Sequence, residues 1–330
     1  MSKRDFVFAA FNNQPVDHVP VSFWFHFVPE GFASPTNSHI AKNIAGHQAY
    51  YDDFQPDFVK LMSDGFFGYP NESVARVEKA ADLDQVAASH PTQWIDGQVA
   101  LVKELVRRFG GEVPTFYNIF APATYFGFLQ KYNLSSLEIK DFVKENPEGV
   151  THALNEIGKD IAVLARRVIE EGGADGIYLS VRNLQGVPQT KEEYLRTIAP
   201  SELAVLEAAN QVSQYNLLHI CGYEGAKNDL SFYAEYPAKV FNYAAAVEGV
   251  SLGEAKKLFE GKAVIGGFGQ TKNDLLYNGT KEEIFAYTKK ILDEAGTTGI
   301  ILGADCTIPG DTPYEHLQWV RDAAIAYGSK

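Results

Sequence analysis

The feature that most constrains the fold is a regular alternation of short apolar runs with longer segments of helical spacing. Strands too apolar to face water need helices on both faces of their sheet, which is typical of parallel sheets. Eight successive strand and helix units predict an α/β fold, a closed (β/α)8 or TIM barrel. The runs lie at residues 19–25, 57–62, 115–120, 176–180, 217–222, 239–243, 263–267 and 299–302.

The length fits one domain of this kind. The chain has 330 residues, of which 45% are hydrophobic, and α/β barrels reach this size as a single unit. We expect one domain over residues 1–330, with residues 1–18 as a helical N-terminal extension or lid. A further helix is expected over 224–235. No glycine-rich dinucleotide fingerprint follows the first run, which disfavours a Rossmann fold.

Charge and cysteine content narrow the classes of partner. The formal net charge is −13, whereas nucleic acids and anionic membranes are bound by basic patches. No apolar stretch of about 18 residues is present to span a bilayer. Two cysteines make no disulfide framework, and the start lacks the apolar core of a signal peptide. We therefore expect a cytoplasmic protein that binds a small-molecule substrate, not nucleic acid or membrane.

Both cysteines lie near the carboxyl ends of predicted strands. On a strand, His219 and Cys221 project from the same face, and Cys306 follows the last run. Two thiolates and an imidazole suit Zn²⁺, and three protein ligands with an open fourth position are typical of catalytic zinc. The alternative is that His219 is a hydrogen-bonded core histidine and both cysteines are small buried hydrophobes. Asp305 and Glu224 are further carboxylates for the fourth position.

Active sites of such barrels lie on the loops that leave the carboxyl ends of the strands. Asp64 follows the second run and could transfer a proton or hold a cationic group of a ligand, or it could be a turn aspartate. Arg182 could hold a carboxylate or phosphate, or could be a surface arginine. Aromatic residues at the strand ends could line a flat or apolar ligand, or could be packing residues. The residues predicted to contact substrate are Trp24, His26, Asp64, Ser180, Arg182 and Asn242.

On several of these residues the chain resembles the uroporphyrinogen decarboxylase superfamily, which contains decarboxylases and zinc-dependent, cobalamin-linked methyltransferases. The resemblance spans nearly the whole chain and implies a (β/α)8 barrel. It is carried by Arg4-Asp5, Asp17-His18-Val19-Pro20-Val21, Asp57-Phe58-Val59-Lys60 with Asp64, Ala121-Pro122-Ala123-Thr124, His219-Ile220-Cys221-Gly222, and Asp305-Cys306 followed by Pro309, Thr312-Pro313 and Glu315.

The two branches of the superfamily predict different chemistry. The decarboxylases carry arginines near the N-terminus and a catalytic aspartate after the second strand. This chain keeps Asp64 but has residues 24–28, Trp-Phe-His-Phe-Val, where the arginines should be. The methyltransferases carry His-x-Cys after the fifth strand and a second cysteine after the eighth, all binding zinc, and His219, Cys221 and Cys306 match this pattern.

The resemblance therefore implies a zinc-dependent methyltransferase that moves a methyl group between a corrinoid, or a similar donor, and a thiol. Asp64, Cys221 and Cys306 would be its catalytic residues. No Asp-x-His-x-x-Gly corrinoid-binding stretch is present, so the corrinoid would come free or on a partner protein. The alternatives are a uroporphyrinogen III decarboxylase that uses Asp64, and a non-catalytic zinc or corrinoid carrier. A homodimer is also expected.

Overall fold

The fold is built on a curled sheet of parallel strands. The structure, a computed structural model, describes residues 1–29, 36–64, 67–132, 137–183 and 189–329. In the described part of the chain, seven strands follow one another in the sheet in sequence order, and every neighbouring pair is parallel. They are β1 (Val59–Leu61), β2 (Thr115–Phe120), β3 (Gly176–Val181), β4 (Leu217–Ile220), β5 (Val240–Tyr243), β6 (Ala263–Phe268) and β7 (Ile300–Ala304). The predicted α/β class with a parallel sheet is confirmed.

Helices follow the strands and cover the convex face of the sheet. Their inward sides form one large apolar cluster with the outward side chains of the strands, such as Ile177, Leu179 and Leu218. In the part of the chain that is described, no helix is long and apolar enough to cross a membrane. The helices are α1 (Lys3–Phe11), α2 (Asn37–Phe54), α3 (Glu72–Ala75), α4 (Thr92–Arg108), α5 (Pro122–Tyr132), α6 (Pro147–Glu170), α7 (Lys191–Thr197), α8 (Ala199–Asn210), α9 (Ala245–Glu248), α10 (Leu252–Leu258), α11 (Leu275–Asn278), α12 (Lys281–Ala295) and α13 (Tyr314–Gly328).

The first predicted strand, 19–25, forms isolated parallel bridges at Val21 and Phe25 instead of a continuous strand. Its amides have other partners: Val21 N donates to the Asp57 carboxylate at 2.7 Å and Phe23 N donates to Tyr50 Oη at 3.1 Å. The segment still exchanges backbone hydrogen bonds with β7 through Leu302, and Asp57 N donates to Val21 O. It therefore lies between the last strand and the start of the first one.

The helix predicted over 224–235 is wrong. The chain there forms two short 3-10 turns, Tyr223–Gly225 and Leu230–Tyr233. Gly225 adopts a left-handed φ of 77°, and the Asp229 side chain accepts from Ser231 N. Such turn-forming residues compete with a continuous helix.

Helix α1 lies within residues 1–18, the predicted helical extension or lid, but it covers the amino ends of the strands and is therefore not a lid over their carboxyl ends. Val7 and Phe11 pack into a second apolar cluster on the concave face of the sheet, with residues that begin strands, such as Phe116 and Leu217. Arg4 pairs with Asp175, which precedes β3. Helix α1 thus closes the amino ends of the strands and leaves their carboxyl ends accessible for a site.

Candidate functional site

A cleft of about 640 Å³ opens at the carboxyl ends of the strands. Most of the residues predicted to carry function line it: His26, Asp64, Ser180, Arg182, His219, Cys221 and Cys306. Two predicted substrate contacts have other positions. Trp24 is buried in the apolar cluster of the concave face, and Asn242 is fully buried behind His219.

The three predicted metal ligands meet at one point of this cleft. His219 lies on β4, Cys221 directly follows it, and Cys306 follows β7. His219 Nε2 lies 3.5 Å from Cys306 Sγ, and the nitrogen and two sulfur atoms all lie within 4.8 Å of one another. β4 and β7 are not neighbours in the sheet, so the curl of the sheet brings these side chains together.

Asn242 fixes which imidazole nitrogen can bind a metal. Its Nδ2 donates to Ile265 O and Ala304 O, both at 3.1 Å. Its Oδ1 is thereby turned toward His219 Nδ1, with which it forms a short hydrogen bond. Because an amide oxygen only accepts, Nδ1 carries the proton and Nε2 presents its lone pair toward Cys306.

The two thiols interact directly and titrate unequally. The neighbouring Cys306 thiol, together with the nearby charge of Lys60 and Arg182, lowers the pKa of Cys221 to about 6. The proximity of Cys221 and burial raise the pKa of Cys306 to about 12. One thiolate therefore forms readily in the cleft at neutral pH.

This donor set fits Zn²⁺. Thiolate sulfur and imidazole nitrogen are the ligands that zinc prefers, and it takes them in clusters whose donor atoms lie this close. Asp305 belongs neither to this ligand cluster nor to the lining of the cleft, and its Oδ2 accepts from Ala246 N at 2.9 Å, at the start of α9. The Glu224 side chain lies outside the described part of the structure. His219, Cys221 and Cys306 would thus hold the ion and leave a position facing the cleft.

Lys60 is a functional candidate that we did not predict from the sequence. It lies on β1, is 4% exposed, and lines the cleft beside the metal candidates. Its Nζ lies 4.3 Å from the ring centre of Tyr178 and 5.0 Å from that of Trp24. Burial lowers its pKa to about 8, and the two cysteines oppose this shift. The sequence signal that could have identified it is a lysine within an apolar strand, on the same face as Phe58 and Met62.

Asp64 lies just after the carboxyl end of β1, where its side chain has several polar neighbours. It adopts a left-handed φ of 51°, which aspartate tolerates in turns. Its carboxylate accepts from Phe27 N at 3.1 Å and from Asn43 Nδ2 at 2.5 Å, and lies 3.4 Å from His26 Nδ1. The aspartate is therefore a turn residue that also lines the cleft, and its role in proton transfer or ligand binding stays a prediction.

The remaining predicted residues differ in burial. Ser180 is nearly buried at the end of β3, while Arg182 is exposed two residues later at the rim of the cleft. The Arg182 carbonyl lies 3.4 Å from Tyr194 Oη. Arg182 thus lines the rim of the cleft with an exposed side chain.

Comparison with known proteins gives consistent relatives. The chain is 26% identical to the methylcobamide:CoM methyltransferase MtbA of Methanosarcina mazei, over 76% of this chain and 70% of that protein. It is 25% identical to the MtbA of Methanosarcina acetivorans, over 98% of both chains. A solved structure of a methyltransferase from Methanosarcina mazei superposes with a TM-score of 0.71 at 15% identity, over 99% of both chains, and so shares the fold.

The family assignment comes from a match along most of the chain. Residues 67–327 match the family model described as uroporphyrinogen decarboxylase (URO-D). That range includes β2 to β7 and all three candidate metal ligands. The relatives named above are methylcobamide:CoM methyltransferases, and the chain itself belongs to the uroporphyrinogen decarboxylase family.

Proposed function

We propose that the chain is a zinc-dependent methyltransferase that moves a methyl group from a methylated corrinoid to a thiol. The observation that carries the proposal is the meeting of His219 Nε2 with the sulfur atoms of Cys221 and Cys306 within 4.8 Å. The names of the relatives, methylcobamide:CoM methyltransferases, supply the donor and acceptor classes. They favour methyl transfer over decarboxylation of uroporphyrinogen.

The residues of the cleft have separate tasks in this proposal. His219, Cys221 and Cys306 would hold the ion, and Asn242 keeps the imidazole in the metal-binding tautomer. Bound zinc supplies a Lewis acid that keeps a thiol deprotonated at neutral pH. Lys60 places a positive charge in the cleft near the two cysteines. That charge would stabilise the anionic sulfur of a bound thiol substrate. Asp64 and Arg182 lie where they could bind the rest of the substrate.

The architecture and the partners complete the proposal. The curled sheet and the segment 19–25 together form a closed (β/α)8 barrel, supported by the hydrogen bonds that this segment makes with Leu302 and Asp57. The corrinoid reaches the open end of the cleft as a free cofactor or on a partner protein. A homodimer and a cytoplasmic location stay predictions.

Zinc content and methyl transfer test the proposal together. The wild-type protein, purified without added metal, is expected to contain one zinc per chain and to methylate a thiol from methylcobalamin. Cys221→Ser is expected to lose both zinc and activity, because a hydroxyl is a poor substitute for a thiolate ligand. Asp64→Asn is the matched control for metal binding, since Asp64 is not in the ligand cluster, and it should keep zinc.

Other outcomes point to the other functions. A metal-free wild type that is fully active would refute the zinc proposal. Conversion of uroporphyrinogen without metal, lost in Asp64→Asn, would indicate a decarboxylase. Tightly held zinc with no turnover of any thiol would indicate a carrier.

A further inference from the structure

The two cysteines come from loops that are separated in the sheet. Cys221 follows β4 and Cys306 follows β7, and β5 and β6 lie between them. Loops are more mobile than strands, yet a metal site needs its donor atoms held within a fraction of an ångström. Some element between the two loops must therefore fix their relative position.

The backbone of Cys221 is tied to the end of α9 through Asn228. Asn228 Nδ2 donates to Cys221 O at 3.0 Å and to Glu248 Oε1 at 3.1 Å, and Asn228 N donates to the same Glu248 oxygen at 2.7 Å. Asn228 Oδ1 also accepts from Asn183 N at 2.8 Å. Glu248 is the last residue of α9, the single-turn helix after β5. Cys221 is thus connected to that helix through Asn228, which bonds to the Cys221 carbonyl on one side and to Glu248 on the other.

The same loop also packs directly on Ala244, the residue before α9, through Gly222. A Cβ atom built on Gly222 would lie 2.4 Å from the Cβ of Ala244. Real side chains do not approach this closely, so only glycine fits beside Cys221. The loop of Cys221 is therefore held both by hydrogen bonds and by direct packing on residues 244–248.

Cys306 is tied to the other end of the same helix. The preceding residue, Asp305, is 1% exposed, and its Oδ2 accepts from Ala246 N at 2.9 Å. Its own amide donates to Phe268 O at the end of β6. The third ligand, His219, is oriented by Asn242, which lies on β5 three residues before α9 begins.

We propose that residues 242–248 form a platform that positions all three metal ligands, with Asn228, Glu248 and Asp305 as its positioning residues. The inference rests on the proposed zinc site and adds the device that assembles it. None of these three side chains belongs to the ligand cluster. They act through the backbone of the neighbouring cysteine, so their loss should disturb metal binding without removing a donor atom.

Zinc affinity, measured by competition with a chromophoric chelator, tests the platform. Glu248→Ala and Asn228→Ala should each weaken zinc binding by about 10-fold or more, the range typical of residues that support metal ligands. Glu248→Gln is the matched control, because its amide oxygen still accepts both bonds from Asn228, and it should stay within about threefold of wild type. Glu283→Ala removes a similar carboxylate bond, 2.8 Å to Thr280 N at the start of α12, and should have no effect on zinc.

Cobalt substitution separates positioning from a general loss of structure. The thiolate-to-cobalt absorption band of the Co²⁺ protein reports both sulfur ligands, and it should weaken in Glu248→Ala and recover in Glu248→Gln. If the alanine variant does not fold, Asn228→Ala provides the same comparison for Cys221. Asp305→Ala provides it for Cys306, with Asp305→Asn as its control, because the amide oxygen still accepts from Ala246 N. Variants that bind zinc as tightly as wild type, with an unchanged cobalt band, would overturn the inference while the zinc site stands. A wild type without zinc affinity would overturn the proposed function and the platform together.

Discussion

Glu202 on α8 is a buried acid whose ionisation should set part of the pH dependence of stability. It is 1% exposed, and its carboxylate accepts from Tyr194 Oη at 2.9 Å and from Tyr236 Oη at 2.5 Å. Burial raises its pKa from 4.5 to about 7, and the two hydroxyl donors only partly offset this rise. Within the described residues, no cation pairs with it.

The sign follows from proton binding. Between pH 4.5 and 7 the native protein holds a proton on Glu202 that the unfolded chain has lost, so stability falls as pH rises through this window. With these two pKa values, Glu202 contributes about 2 to 3 kcal/mol less to the free energy of unfolding at pH 8 than at pH 5. Glu202→Gln keeps an uncharged side chain of the same size and removes this dependence.

Urea unfolding of the metal-free wild type and of Glu202→Gln, at pH 5 and pH 8, measures the effect. The comparison must be made as a difference between the two proteins, because His47 acts in the opposite direction. Burial lowers the pKa of His47 to about 4, so stability is lost as pH falls below 6.5. The wild-type minus His47→Gln difference should show that opposite trend, of about 2 kcal/mol, because the variant lacks the titrating imidazole. A wild-type minus Glu202→Gln difference that is the same at both pH values, within about 0.5 kcal/mol, would refute the reasoning.

Two further predictions concern the cleft. Asn242→Ala should weaken zinc affinity by about 10-fold to 100-fold in a chelator competition, because His219 loses the partner that sets its tautomer. Asn242→Asp keeps that acceptor but loses both donor bonds to Ile265 O and Ala304 O, so it should hold zinc within about threefold while unfolding at lower urea. Lys60→Met should leave the zinc content unchanged. In a methyl-transfer assay it should raise KM for the thiol about 10-fold, because the anionic substrate loses about 1.4 kcal/mol of attraction to the lysine charge. Lys60→Arg keeps that charge, and an unchanged KM in Lys60→Met would contradict the role.

The site was predictable where it depended on local pattern. His219 lies on β4, Cys221 directly follows it, and Cys306 follows β7, so the carboxyl edge of a parallel sheet brings them to one side. The pattern did not reveal Lys60, because the sequence alone does not say which face of β1 is enclosed. It also placed Asn242 against substrate, whereas its buried amide holds His219.

The sequence by itself determined the alternation of strands and helices and the type of metal that its few soft donors could bind. Apolar periodicity is a local property, and it survives without any knowledge of neighbours. Only the tertiary structure decided that β4 and β7 approach across the curled sheet, and that Asn228, Glu248 and Asp305 connect their loops through α9. The physical reason is that a polar residue in a sequence is most simply interpreted as a surface residue. Its hydrogen-bond partner lies far along the chain and is determined only by the fold.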